Sequence, residues 1–460
     1  MTPPLTLTTK LAYGVGELSS EITGSILVFF LLFFLTNVAG LLPSLAGGVL
    51  LVGKIWDALN DPIVGWLSDR TRSPLGRRYP WMLIGAIPLG VFFCLQWVVP
   101  PTSQQGWLFL YYSVIALLFY TAFTAVVVPY STLAAELTID YDSRTSLVSF
   151  KAAFSIGSSI VSLLIAQLLF VLVVGEKTQY MLLGAICGTL ACLAAYLCTW
   201  GTYRRYQLIQ AQRVRAEYPL SIPVWQQIQV VLSNRPFLYV VGIYLCSWLG
   251  LQLSAVILPY FVVNWMNLEE NHFTQMALTV QGTALLMMFF WSAIAQHLGK
   301  KTIYFLGIPM TLVAQAGLFF LQPGQVGLMY TLAAVAGAGL STAYLVPWSM
   351  LPDVIDLDEL NTGQRREGIF FGVVVLLQKI AVAIVLLIVG QILDWSGFIP
   401  ATTSSPASVQ PETALLAIRW LIGPIPSIVL IGGLVMVSLY PITRQVHGEI
   451  LLKLSEGRKS

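Results

Sequence analysis

The hexapeptide VPYSTL at residues 128–133 returns as VPWSML at 346–351, and each copy closes a long apolar run and is followed by acidic residues. A second pair keeps the same order: GRR at 76–78 follows the second apolar run, and GKK at 299–301 follows the eighth. Such matches between the first and second halves of a chain mark an internal duplication. The unit duplicated contains about six apolar runs.

The apolar runs decide the class. Of 460 residues, 57% are hydrophobic and only 10% are charged, whereas a soluble domain carries about 25% charged residues. A helix needs about 20 apolar residues to cross a bilayer, and the chain divides into about twelve runs of that order. Their approximate bounds are 11–36, 44–68, 80–100, 107–136, 146–175, 179–203, 236–265, 273–297, 302–321, 326–352, 367–394 and 413–441. The runs are continuously apolar rather than alternating, which excludes a transmembrane barrel. The reading is an all-α polytopic membrane protein of twelve transmembrane helices in two pseudo-symmetric six-helix halves. A parallel repeat of this kind, with a substrate site at midplane, is the architecture of the major facilitator superfamily. The expected organisation is an N-terminal bundle at 1–203, a linker at 204–235, a C-terminal bundle at 236–441 and a tail at 442–460.

Lys and Arg set the expected topology. Arg70, Arg72, Arg77, Arg78, Arg144, Arg204, Arg205, Arg213, Arg215, Lys300, Lys301, Arg365, Arg366, Lys453, Arg458 and Lys459 fall on one set of loops. The alternate loops at 37–43, 101–106, 266–272, 322–325 and 395–412 contain neither residue type. By the positive-inside rule both termini are cytoplasmic, in a plasma (inner) membrane. The first apolar run is too long for a cleavable signal and is expected to be the first span. The net charge of +3 has this topological explanation, so no nucleic-acid partner is expected. Cys94, Cys187, Cys192, Cys198 and Cys246 lie in apolar runs without metal-ligand spacing and read as small core residues. No nucleophile–His–acid set, phosphate loop or HExxH-type motif is present, so neither an enzyme nor a resident cofactor is expected.

Ionisable residues inside spans are costly and are functional by default. Asp57 and Asp61 stand four residues apart on span two and so share a helix face. Like charges that close call for a cation or a proton between them, and oxygen donors suit hard cations. Asn60 beside them and Thr124 on span four add polar groups, giving a Na⁺ or H⁺ site. The competing reading makes one aspartate a structural partner of Lys54 or Lys379. Glu17 and Glu21 repeat the spacing on span one, with Glu17 expected in a wetted mouth and Glu21 in the cavity. Lys379 at mid-span needs a carboxylate or an anionic substrate group. Arg419 is expected to reach the surface. His272, His297 and His447 lie near membrane ends, so a histidine proton relay is not expected. The arginines at 70–78 are expected to clamp helix ends, and Asp353, Asp356, Arg365 and Arg366 to form an ion-pair gate.

Four stretches carry a resemblance. WDALNDPIVGWLSDRTRSPLGRRYPW at 56–81, KLAYGVGE at 10–17, VPYSTLAAELTIDYDSRTSL at 128–147 and DVIDLDELNTGQRREGIFFG at 353–372 resemble the glycoside–pentoside–hexuronide:cation symporters, the family of the melibiose permease. The resemblance implies a Na⁺ (or Li⁺ or H⁺) site at Asp57, Asp61, Asn60 and Thr124, with Lys379 close enough to couple. It places the substrate at Glu21, Val127, Lys151, Tyr344 and Lys379. Val127 stands where that family has a sugar-binding aspartate, Ser131 where it has a tryptophan, and Tyr344 where it has another tryptophan. The same fold and cation site occur in sodium-dependent lysophosphatidylcholine transporters, whose cavity is more apolar. The expectation is therefore cation-coupled symport of a sugar or glycoside, or alternatively of a lysophospholipid, by a monomer in the bilayer.

Overall fold

In the computed structural model, residues 5–138, 141–212, 233–362, 367–400, 410–442 and 444–457 are described. Every regular element among them is helical. In chain order these are α1 (Leu7–Val15), α2 (Leu18–Ile26), α3 (Pro43–Arg70), α4 (Tyr79–Leu95), α5 (Gln105–Leu137), α6 (Tyr141–Leu172) and α7 (Glu176–Gln212). There follow α8 (Arg235–Tyr260), α9 (Glu270–Leu298), α10 (Lys300–Phe320), α11 (Val326–Thr362), α12 (Glu367–Trp395), α13 (Glu412–Ile422), α14 (Pro424–Leu439) and α15 (Arg444–Gly457). Ten helical stretches are long and apolar enough to span a membrane. α3 joins them in length but carries Lys54, Asp57 and Asp61, and α4 is shorter at 17 residues. Together they account for the expected twelve spans, with α1–α2 and α13–α14 each building one. The residues of the linker at 213–232, including Arg213 and Arg215, lie outside the described residues, as do Arg365, Arg366, Arg458 and Lys459.

The chain forms two compact units. One comprises Met1–Glu217 with Leu386–Pro411, the other Tyr218–Val385 with Glu412–Ser460. In membranes the apolar tails of lipid compete with apolar side chains, so helices associate where small residues let backbones meet. In the first unit α4 meets α7 at Gly90 and Gly188, where a Cβ on either would lie 2.8 or 2.7 Å from the other's carbonyl oxygen. An aromatic core of Phe30, Phe34, Trp97, Phe170 and Tyr180 fills one end, with Trp97 stacked on Tyr180 at 5.8 Å. In the second unit the run AGAGLST of α11 meets α10, and a Cβ on Gly339 would stand 2.5 Å from the Gly307 oxygen.

Span ten is longer than expected. The apolar run predicts an end near residue 352, yet α11 continues to Thr362. Lys300 Nζ reaches the Ser349 carbonyl at 2.7 Å in the same stretch.

The first span of each unit ends alike, a repeat that the sequence reading does not find. FLTNVAGL at 34–41 and FVVNWMNL at 261–268 both contain a π-helical turn, Phe34–Val38 and Phe261–Trp265. Ala39 N–H bonds Phe34 O at 2.9 Å and Leu41 N–H bonds Leu35 O at 2.8 Å; Met266 N–H bonds Phe261 O at 3.0 Å and Leu268 N–H bonds Val262 O at 3.1 Å. Each turn closes on a left-handed residue, Gly40 at φ 74° and Asn267 at φ 52°. A residue with a Cβ pays about 1–2 kcal/mol there, which Asn tolerates best. Gly40→Val is therefore expected to lower thermal stability in detergent, while Asn267→Gly leaves it level or raises it. Equal losses for both would mean that the left-handed caps do not set the cost.

Candidate functional site

α3 and α5 bring Asp57, Asp61 and Thr124 together. The Thr124 hydroxyl lies 3.4 Å from Asp57 Oδ1 and 3.1 Å from Asp61 Oδ1. Its single proton can serve only one of these carboxylates at a time. Asp57 is buried at 1% exposure, whereas Asp61 is half-buried. Lys54, one turn earlier on α3, brings Nζ to 4.0 Å from Asp57 Oδ2. That is a long contact for an ion pair, and the ammonium also sits over the Tyr120 ring at 4.9 Å. Asn60 is buried but turns its amide to the Tyr120 carbonyl at 3.5 Å. Of the four expected cation-site residues, three converge and Asn60 stands beside them, bonded to backbone. Tyr120 is the residue that sequence reasoning omits. It lies one helical turn before Thr124 on the same face, the only signal available for it.

Charges from the sequence's second i, i+4 pair also meet a partner. Glu17 is not wetted, as the sequence suggested; it is 7% exposed. Lys151 of α6 stands 3.5 Å from its carboxylate. The span is bent here, between α1 and α2, and Gly16 passes so close to Tyr130 and Cys198 that a side chain would collide. Lys151 is thus a partner of Glu17 as well as an expected substrate residue. Glu21 is half-buried one turn on, with Ser155 of α6 facing it. Val127 is half-buried on α5. Tyr344 and Lys379 belong to the second unit, where Tyr344 meets Trp248 edge to face at 5.9 Å.

At the GRR end of the first unit, Glu136 collects the arginines. Arg77 Nε and a terminal nitrogen each approach Oε1 at 2.7 Å, and Arg78 Nε lies 3.4 Å away. Arg78 also donates to Ser68 at 2.6 Å and pairs with Asp69. The clamp therefore joins α3, the GRR loop and α5. Arg70 takes no part in it and stacks on Trp66 at 4.1 Å.

The second unit repeats the device with other chemistry. Lys300 holds Asp353 through both carboxylate oxygens at 2.7 Å. His447 of α15 lies 3.1 Å from Asp356 and 3.6 Å from Asp353. The expected pairing of these aspartates with Arg365 and Arg366 falls outside the described residues. Arg419 is partly exposed, and its guanidinium grips the Phe319 carbonyl at 2.9 and 2.6 Å and stacks on Trp265 at 4.5 Å. A carbonyl at the end of α10 without its own helical partner offers this grip.

Residues 12–444 match the sequence model of MFS/sugar transport proteins. An uncharacterized symporter of Synechocystis sp. is 44% identical over 99% of this chain and 98% of its own length. The sodium-dependent lysophosphatidylcholine symporter 1 of Xenopus tropicalis is 28% identical over 96% of this chain and 88% of its own. Among solved structures, the nucleoside transporter NupG superposes with a TM-score of 0.64 at 10% identity, over 94% of this chain and 99% of that one. With its duplicated all-helical units, the chain has the major facilitator fold and belongs to the MFS/sugar transport protein family.

Proposed function

We propose that the protein is a secondary active symporter of the glycoside–pentoside–hexuronide:cation type. It couples entry of Na⁺, or of H⁺ or Li⁺ in its place, to uptake of a sugar or glycoside by alternating access. The observation that carries this is the Asp57–Thr124–Asp61 cluster, three oxygen-bearing side chains on facing helices inside the membrane-spanning region. Such donors suit a hard monovalent cation. Asp57, Asp61 and Thr124 would hold it, and its positive charge would offset the repulsion between the two carboxylates. Lys54, fixed over Tyr120, keeps a positive charge near Asp57, and Lys379 would couple this site to the cargo. Each ligand then favours the other, as any thermodynamic coupling requires.

The driving force is adequate. One charge crossing 100 mV yields about 2.3 kcal/mol. A tenfold cation gradient adds about 1.4 kcal/mol. Glu21, Lys151, Val127 and Tyr344 would line the substrate, and Asp353 and Asp356 would act in gating. The Lys and Arg distribution supports a plasma-membrane protein with cytoplasmic termini, working as a monomer without an enzymatic step. Asp57→Asn and Asp61→Asn are each expected to abolish the rise in melting temperature that Na⁺ gives the purified protein. If both variants kept that rise, the cation would bind elsewhere.

A second reading takes lysophospholipid as cargo. Val127, where the resembling sugar transporters have an aspartate, favours it, together with the lysophosphatidylcholine and sphingosine-1-phosphate transporters among the relatives. Uptake of labelled glycosides and labelled lysolipids into the same proteoliposomes, under an inward Na⁺ gradient, separates the two readings.

A further inference from the structure

Tyr120 of α5 is held on every side that the described residues show. Its side chain is 6% exposed and packs against Gly53 of α3, where a Cβ would come within 2.8 Å of the ring. Phe119 and Phe123 meet the ring edge to face at 5.1 and 6.2 Å. Its carbonyl receives the Asn60 amide at 3.5 Å. Next to it, the Trp56 indole N–H donates to the Thr121 hydroxyl at 2.9 Å and ties α3 to α5. The ring is therefore fixed, and the group with freedom to move is its neighbour. Lys54 follows Gly53 and carries its ammonium on a flexible four-carbon stem. Nζ stands 4.9 Å from the Tyr120 ring centroid and 4.0 Å from Asp57 Oδ2.

A charge-assisted bond from an ammonium to a carboxylate closes to about 2.7–2.9 Å, and residues three apart on a helix are near enough to make one. Lys54 stops short of that distance. An aromatic face attracts an ammonium without being a carboxylate, and the Tyr120 face is the attraction placed to hold Lys54 back. We propose that Tyr120 is a positioning residue of the cation site: its ring keeps the Lys54 ammonium from closing on Asp57 and competing there with the entering cation. Without the ring, Lys54 closes on Asp57, and a cation must displace it to bind. Gly53 belongs to the same device, because only a residue without a Cβ leaves the ring its seat. This inference rests on the cation-site reading above and adds to it the group that sets the affinity of the site.

Titration of the purified full chain with Na⁺, read as the rise in melting temperature, gives the affinity of each variant. The melting temperature without Na⁺ reports any loss of packing separately. Tyr120→Leu is expected to bind Na⁺ about tenfold more weakly, the scale of a desolvated cation–π contact. Tyr120→Phe keeps the ring and should bind as the wild type does. Adding Lys54→Met to Tyr120→Leu should restore the affinity, because the competing ammonium is gone. A purely structural role for Tyr120, or for Lys54 as the partner of Asp57, predicts no such rescue. Unchanged affinity in Tyr120→Leu, or a loss that Lys54→Met does not restore, overturns the proposal. If Tyr120→Leu does not fold, Gly53→Ala displaces the ring instead, and its affinity with and without Lys54→Met decides by the same two criteria. A wild type that responds to Na⁺ while Tyr120→Leu matches it sinks this inference alone. A wild type with no Na⁺ response overturns the cation-site reading and this inference together.

Discussion

Glu136→Ala is expected to cost the first unit about 3–5 kcal/mol, the range for removing one partner of a buried ion pair. Glu136 is 2% exposed and accepts from Arg77 twice and from Arg78 once. Truncation leaves Arg78, itself 6% exposed, with Asp69 and Ser68 alone, and it unfastens the GRR loop from α5. Asp353→Ala in the second unit should cost much less. Its partner Lys300 has a side chain 36% exposed, so the released ammonium can rehydrate. Glu136→Gln should fall between them, because the amide oxygen can still accept from Arg77. Denaturant unfolding of the three variants in one detergent gives the order. An Asp353→Ala loss as large as that of Glu136→Ala would show that burial of the partner does not govern the cost.

Gly339→Ala is expected to destabilise the second unit by about 1–3 kcal/mol or more, the cost of overpacking a core that cannot yield. The added methyl would stand 2.5 Å from the Gly307 oxygen and 2.7 Å from the Thr311 nitrogen. Both are backbone atoms of α10, so no rotamer change relieves the contact, and a larger side chain such as Leu should prevent folding. Gly372 on α12 provides the contrast. A Cβ there meets nothing within 4 Å, and Gly372→Ala should gain about 0.5–1 kcal/mol from helix propensity. Melting temperatures of the two alanine variants are expected to move in opposite directions.

Much of the architecture could be read from the sequence because membrane helices declare themselves. Length and apolarity fix a span, and VPYSTL with VPWSML fixed the duplication. Asp57 and Asp61 stood out because a carboxylate in such a run is costly, and their spacing alone put them on one face. What escaped was of another kind. The spacing rule that grouped Asp57 with Asp61 says nothing about which helix lies opposite, so Tyr120 and the turn of Asn60 to a carbonyl were not visible. Glu17 was misplaced because its distance along the chain suggested a mouth, whereas the structure buries it beside Lys151. The carbonyl partner of Arg419 was not visible either, since no sequence pattern reveals an unused carbonyl at the end of another helix. The Lys300–Asp353 pair was half visible, as a basic stretch and an acidic stretch in corresponding places of the two halves.

The paired π-turns at Phe34–Val38 and Phe261–Trp265 bear on descent. Little of the sequence around them agrees beyond a phenylalanine, an asparagine and a closing leucine, yet the same irregular hydrogen bonds end both spans. The paired turns thus add a shared backbone irregularity to VPYSTL/VPWSML and GRR/GKK as a mark of the duplication between the halves.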